Sequence, residues 1–104
     1  MTEQQEEILT LLIIDKNKTL DISYWFCKML SVRFKIIGCV KIMERLIDKE
    51  YATFREIEGL KYFTLTKKGE KIIKDCLLEL RDTLKLEYPG EENLVNNLTN
   101  GLTT

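Results

Sequence analysis

The stretch that decides the fold runs from Val40 to Ile73 and reads VKIMERLIDKEYATFREIEGLKYFTLTKKGEKII. Its first part has a helical period, with Val40, Met43, Leu46 and Ile47 recurring at three- and four-residue steps. The period then changes. Tyr51, Thr53, Arg55 and Ile57 alternate along the chain, Glu58-Gly59 follows, and Tyr62-Phe63-Thr64-Leu65-Thr66 comes next. Two short runs rich in aromatic and β-branched residues, joined by a glycine-containing connection, predict a β-hairpin. Ile72, Ile73, Cys76, Leu77, Leu80 and Leu84 then mark a long helix with Thr66 as its N-cap, which Pro89-Gly90 stops.

Working outward toward the N-terminus, Ile8, Leu11, Leu12 and Ile14 predict an amphipathic helix over Glu3 to Asp15, with acidic residues in its first turn. Asp15-Lys16-Asn17-Lys18 breaks the pattern, and Thr19 or Asp21 is the expected cap of a second helix carrying Ile22, Trp25, Phe26, Met29 and Leu30. The boundary at Ser31-Val32-Arg33 is soft, lacking proline and glycine. Ile36, Val40, Met43 and Ile47 are expected to face the core from a third helix that ends near Lys49. Gly38 falls inside this predicted helix, where glycine costs up to about 1 kcal/mol; close approach of a neighbouring helix is the expected reason. Toward the C-terminus, residues 1–88 are expected to form the domain and residues 89–104 a polar tail, either a frayed short helix or disordered. The order helix, helix, helix, hairpin, helix predicts a mainly α fold with a small β-hairpin (α+β): a winged helix-turn-helix with an added C-terminal helix.

Val40 to Ile73 resembles winged-helix DNA-binding regulators of the MarR and PadR kind. In those families the recognition helix ends in an apolar run before the first wing strand, here Met43, Leu46, Ile47 and Tyr51. The second strand ends in a Y-x-L-T-x-x-G phrase that opens the next helix, here Tyr62 to Gly69. The chain departs from the pattern at Glu50, where family members usually carry glycine, and in the turn between helices two and three, which lacks a small central residue. The resemblance implies a dimeric transcriptional regulator of duplex DNA and names no subfamily.

The rest of the composition excludes more than it assigns. The chain of 104 residues has no histidine and three cysteines, Cys27, Cys39 and Cys76, without a CxxC pair. This excludes a structural zinc site, and the thiols are expected to act as small core hydrophobes. Nucleophile motifs, glycine-rich phosphate loops and metal-ligand clusters are missing from the sequence, so neither an enzyme nor a cofactor is expected. The longest apolar run near the N-terminus, Leu11 to Ile14, is too short for a membrane span or a signal-peptide core, which leads to the expectation of a cytoplasmic protein.

Net charge is −1, but its distribution is uneven. Residues 28–49 hold six basic and two acidic side chains, net +4, whereas residues 1–27 and 76–104 are each net −3. The basic block coincides with the predicted recognition helix, so Arg33, Lys35, Lys41 and Arg45 are candidate contacts to double-stranded DNA, with Arg55 and Lys61 from the wing. On this reading Ile42 shares the outward face. Phe34, Ile36, Ile37 and Ile42 cannot all point inward, which favours an alternative: a winged-helix module that binds a protein partner through Phe34 and Ile42 and not DNA. In the last helix, Ile73, Leu77, Leu80 and Leu84 recur at near-heptad spacing and are candidate homodimer contacts.

Overall fold

A computed structural model describes residues 1–16 and 25–100, with side chains for residues 1–15 and 30–99. The predicted caps Thr19 and Asp21, with Ile22, lie outside the described residues. Among the described residues the fold is mostly helical with one antiparallel hairpin. Helix α1 spans Glu3–Lys16, α2 Trp25–Phe34 and α3 Cys39–Asp48, followed by strands β1 Ala52–Ile57 and β2 Leu60–Leu65. Helix α4 spans Lys67–Glu87, a single 3-10 turn spans Pro89–Glu91, and α5 spans Glu92–Asn100.

Helix α1 is the centre of the molecule and not an amphipathic surface helix. Every residue from Glu7 to Ile14 is buried, because α3, β2, α4 and α5 all pack around it. The two polar members of that run both have partners, one within α1 and one at the end of α3. Thr10 Oγ1 donates to the Glu6 carbonyl at 2.8 Å, and the Glu7 carboxylate meets Lys49 Nζ at 2.6 Å.

The hairpin follows from its tip. Ile57 pairs with Leu60, leaving Glu58 and Gly59 as a two-residue loop with φ of 52° and 80°. Two successive left-handed residues make the type I′ turn that matches strand twist. At its base, Thr66 caps α4 as expected, accepting from the Gly69 N–H at 3.0 Å and donating its hydroxyl to the Glu50 carbonyl at 2.6 Å. The Thr66 N–H donates to the Tyr51 carbonyl at 3.1 Å. Gly69 presses against that same carbonyl: a Cβ there would sit 2.1 Å from the Tyr51 oxygen. The L-T-x-x-G phrase is thus the joint that seats the start of α4 on the chain entering the hairpin.

Three expectations are corrected. Gly38 is not inside α3 but caps it, at φ 82°, and α2 runs on through Phe34. Residues 89–100 are not a polar tail: α5 packs on α1 and α4 and buries Val95, Leu98 and Thr99. The cysteines are not all free core hydrophobes, since Cys39 is disulfide-bonded while Cys76 is a free, half-buried thiol. No helix among the described residues is long and apolar enough to cross a membrane.

Candidate interaction face of α3 and the hairpin

The turn from α2 to α3 fixes which side of α3 looks outward. Lys35 and Gly38 both take left-handed backbone, φ 55° and 82°, so the chain reverses within four residues. Phe34 and Ile36 are driven into the core, and Ile37 is left 89% exposed. Tyr88 locks the reversal from the other side. Its hydroxyl donates to the Phe34 carbonyl at 2.7 Å, and its ring meets Phe34 edge-on at 5.4 Å. Burial pushes the Tyr88 phenol above its ordinary range, with Glu87 and then Glu6 adding to the shift.

With α3 beginning at Cys39, its core stripe is Cys39, Ile42 and Leu46. Val40 is 67% exposed, Met43 and Ile47 are half-buried, and Lys41, Glu44 and Asp48 are exposed. The expected phase, with Val40, Met43 and Ile47 inward and Ile42 outward, is therefore rotated. An interaction face built on exposed Phe34 and Ile42 is excluded as well, because both are fully buried.

The candidate cations divide into two sets. Arg45 turns toward α1, its Nε 3.2 Å from a Glu3 carboxylate oxygen and 3.5 Å from Glu7. Arg33 reaches Glu91 at 3.1 Å. Lys35, Lys41, Arg55 and Lys61 stay exposed, and the Lys61 ammonium lies 5.0 Å above the Phe54 ring. Lys49, another contributor to the basic block, is spent on Glu7. What remains on the outward side of α3 is Lys41 beside Glu44 and Asp48, a balance that is slightly acidic where duplex phosphate demands cations.

Between α3 and the hairpin lies an open groove of about 370 Å³. Val40, Met43 and Ile47 form one apolar wall, and Phe54 and Phe63, directly paired across the strands with rings 5.4 Å apart, form the other. Glu44 and Asp48 edge the helix side and Lys61 the hairpin side. Residue-level reading missed this groove because Val40, Met43 and Ile47 were assigned to the core.

The candidate dimer residues are placed elsewhere. Ile73, Leu77, Leu80 and Leu84 are each at most 3% exposed, inside the chain's own core, and so have no surface to offer a second copy. On α4 the outward apolar residues are Leu78 and Leu86. No protein-family model, curated protein or solved structure matches the chain.

Proposed function

We propose that the chain is a winged-helix domain whose α3–hairpin face binds a protein partner. The element order supports the winged-helix reading: α2 and α3 with a tight turn, a hairpin as the wing, then α4. One observation carries the functional reading. Arg45 and Lys49 are turned to Glu3 and Glu7 of α1, while on the outward face Val40 and Phe54 are exposed and line one groove with Glu44 and Asp48. Exposed apolar side chains lining a groove are the composition of a protein-docking site. Capture of a partner should be lost in Val40→Asp and retained in Lys41→Ala; capture that survives Val40→Asp rejects this face.

A DNA regulator is the second reading, favoured by Lys35, Lys41, Arg55 and Lys61 all remaining exposed. Fluorescence-anisotropy titration of a labelled random-sequence duplex at about 50 and 200 mM salt separates the two. The protein-binding reading expects no affinity at either salt. Binding that collapses at the higher salt, and weakens in Lys41→Ala with Lys61→Ala, would establish DNA binding instead.

A further inference from the structure

The geometry points to a specific kind of occupant for the α3–hairpin groove: an amphipathic helix of a protein partner, with a basic flank toward α3 and an acidic flank toward the hairpin. The inference rests on the protein-binding reading and adds the partner's chemistry. Three observations on opposite sides of the groove carry it.

On the helix wall, Glu44 and Asp48 stand four residues apart on the exposed side of α3, with no cation paired to either among the described residues. Four residues of helix rise about 6 Å, so the two carboxylates lie one turn apart along one line. A second helix laid along α3 offers two lysines or arginines at the same spacing from positions i and i+4. On the opposite wall, the charged residue that lines the groove is Lys61, its ammonium held over Phe54, with Glu56 its cross-strand partner and no ion pair made among the described residues. It favours a carboxylate on the occupant's other flank. Between the walls the lining is apolar, and Val40 and Phe54 are 67% and 42% exposed, so the side chain inserted there must be apolar too. Apolar stripe, basic flank and acidic flank together describe a helix seated lengthwise in a groove.

The volume limits the occupant. A groove of about 370 Å³ holds two or three apolar side chains, which is what one stripe of a single helix inserts. Like charges are also disfavoured here. A duplex backbone would place phosphates against Glu44 and Asp48, and a helix with acids on both flanks would repeat that repulsion.

The test uses two labelled helical peptides of about 18 residues, long enough to hold helix with favourable residues. Both carry the same leucine stripe. One has lysines on one flank and glutamates on the other, and the second has glutamates on both flanks, so the comparison holds whichever way the helix runs. Titrated against the full chain, the first is expected to bind at least about tenfold more tightly at low salt, a difference of about 1.4 kcal/mol. In Glu44→Lys with Asp48→Lys, both exposed positions whose replacement leaves the core intact, the preference should invert. Equal binding of the two peptides by the native chain, or a preference that survives the double substitution, would overturn the charge assignment. Binding by neither overturns the inference as a whole. The underlying protein-docking face is judged separately, by partner capture in Val40→Asp, so failure of the one is distinguishable from failure of the other.

Discussion

Two residues on either side of the hairpin show how much a single backbone position decides. Glu50 closes α3 at φ 61°, in the left-handed region that costs a side-chain-bearing residue about 1–2 kcal/mol. Its carboxylate makes no ion pair among the described residues, and its backbone carbonyl, which accepts from Thr66, is kept by any replacement. Glu50→Gly is therefore expected to stabilise the fold by about 0.5–1 kcal/mol in urea denaturation, the strain relieved exceeding the added chain entropy. Gly69 is the opposite case. Its backbone is ordinary helix, but a methyl group would collide with the Tyr51 carbonyl, which cannot retreat without breaking its bond from the Thr66 N–H. Gly69→Ala should cost about 3 kcal/mol, the upper end of overpacking effects. A loss under 1 kcal/mol would show that the joint between β2 and α4 yields.

At the scale of elements, the buried carboxylate of Glu7 ties the centre of α1 to the end of α3 through Lys49 and Arg45. Removing Lys49 leaves that carboxylate with the more distant arginine. Lys49→Met is expected to destabilise by about 1–2 kcal/mol, less than a fully buried pair because Lys49 is half exposed and Arg45 remains. Thermal melts of Lys49→Met in a native and a Glu7→Gln background should show that the loss is not additive. Elements also show where sequence reading ends. The hairpin, the Thr66 cap and the stop at Pro89 were legible because turn and cap chemistry is local. The phase of α3 was not. Val40–Met43–Ile47 and Cys39–Ile42–Leu46 repeat with the same spacing, and periodicity alone cannot choose between two apolar stripes lying side by side on one helix. The choice is made by the left-handed turn at Lys35 and Gly38, which sets where the helix begins. The functional face inherited that ambiguity: Arg33, Lys35, Lys41, Arg55 and Lys61 are exposed as expected, Arg33 in a surface pair with Glu91, whereas Arg45 is drawn to Glu3 and Glu7 of α1.

For the molecule as a whole, the last helix belongs to the core. The polar composition of α5 conceals this: Val95 and Leu98 are buried and Leu94 packs on the core, with Thr99 returning its hydroxyl to the Val95 carbonyl at 2.9 Å. Leu98→Ala should cost about 2–4 kcal/mol and lower the transition temperature of the entire domain cooperatively, monitored by circular dichroism. A separate early melt of α5 alone would show that it is merely appended. Global stability should also respond to alkali through Tyr88. Because its phenol titrates above its ordinary range when folded, the native state holds the proton more strongly than the unfolded chain. Stability is then complete below about pH 10, the unfolded tyrosine value, and declines as pH rises through the folded value. Tyr88→Phe should be less stable at neutral pH, through loss of the bond to the Phe34 carbonyl, yet should show a shallower decline above pH 10.

The burial of α1 on every side has a consequence for how the chain is made. Emerging from a ribosome, this helix is in the open before α4 and α5, which cover much of it, have been translated. Until they follow, a run of eight consecutive residues, Glu7 to Ile14, waits without its final neighbours. A chaperone that holds apolar segments would find its longest-lived client site there, and folding would be completed only after α5 has cleared the exit tunnel.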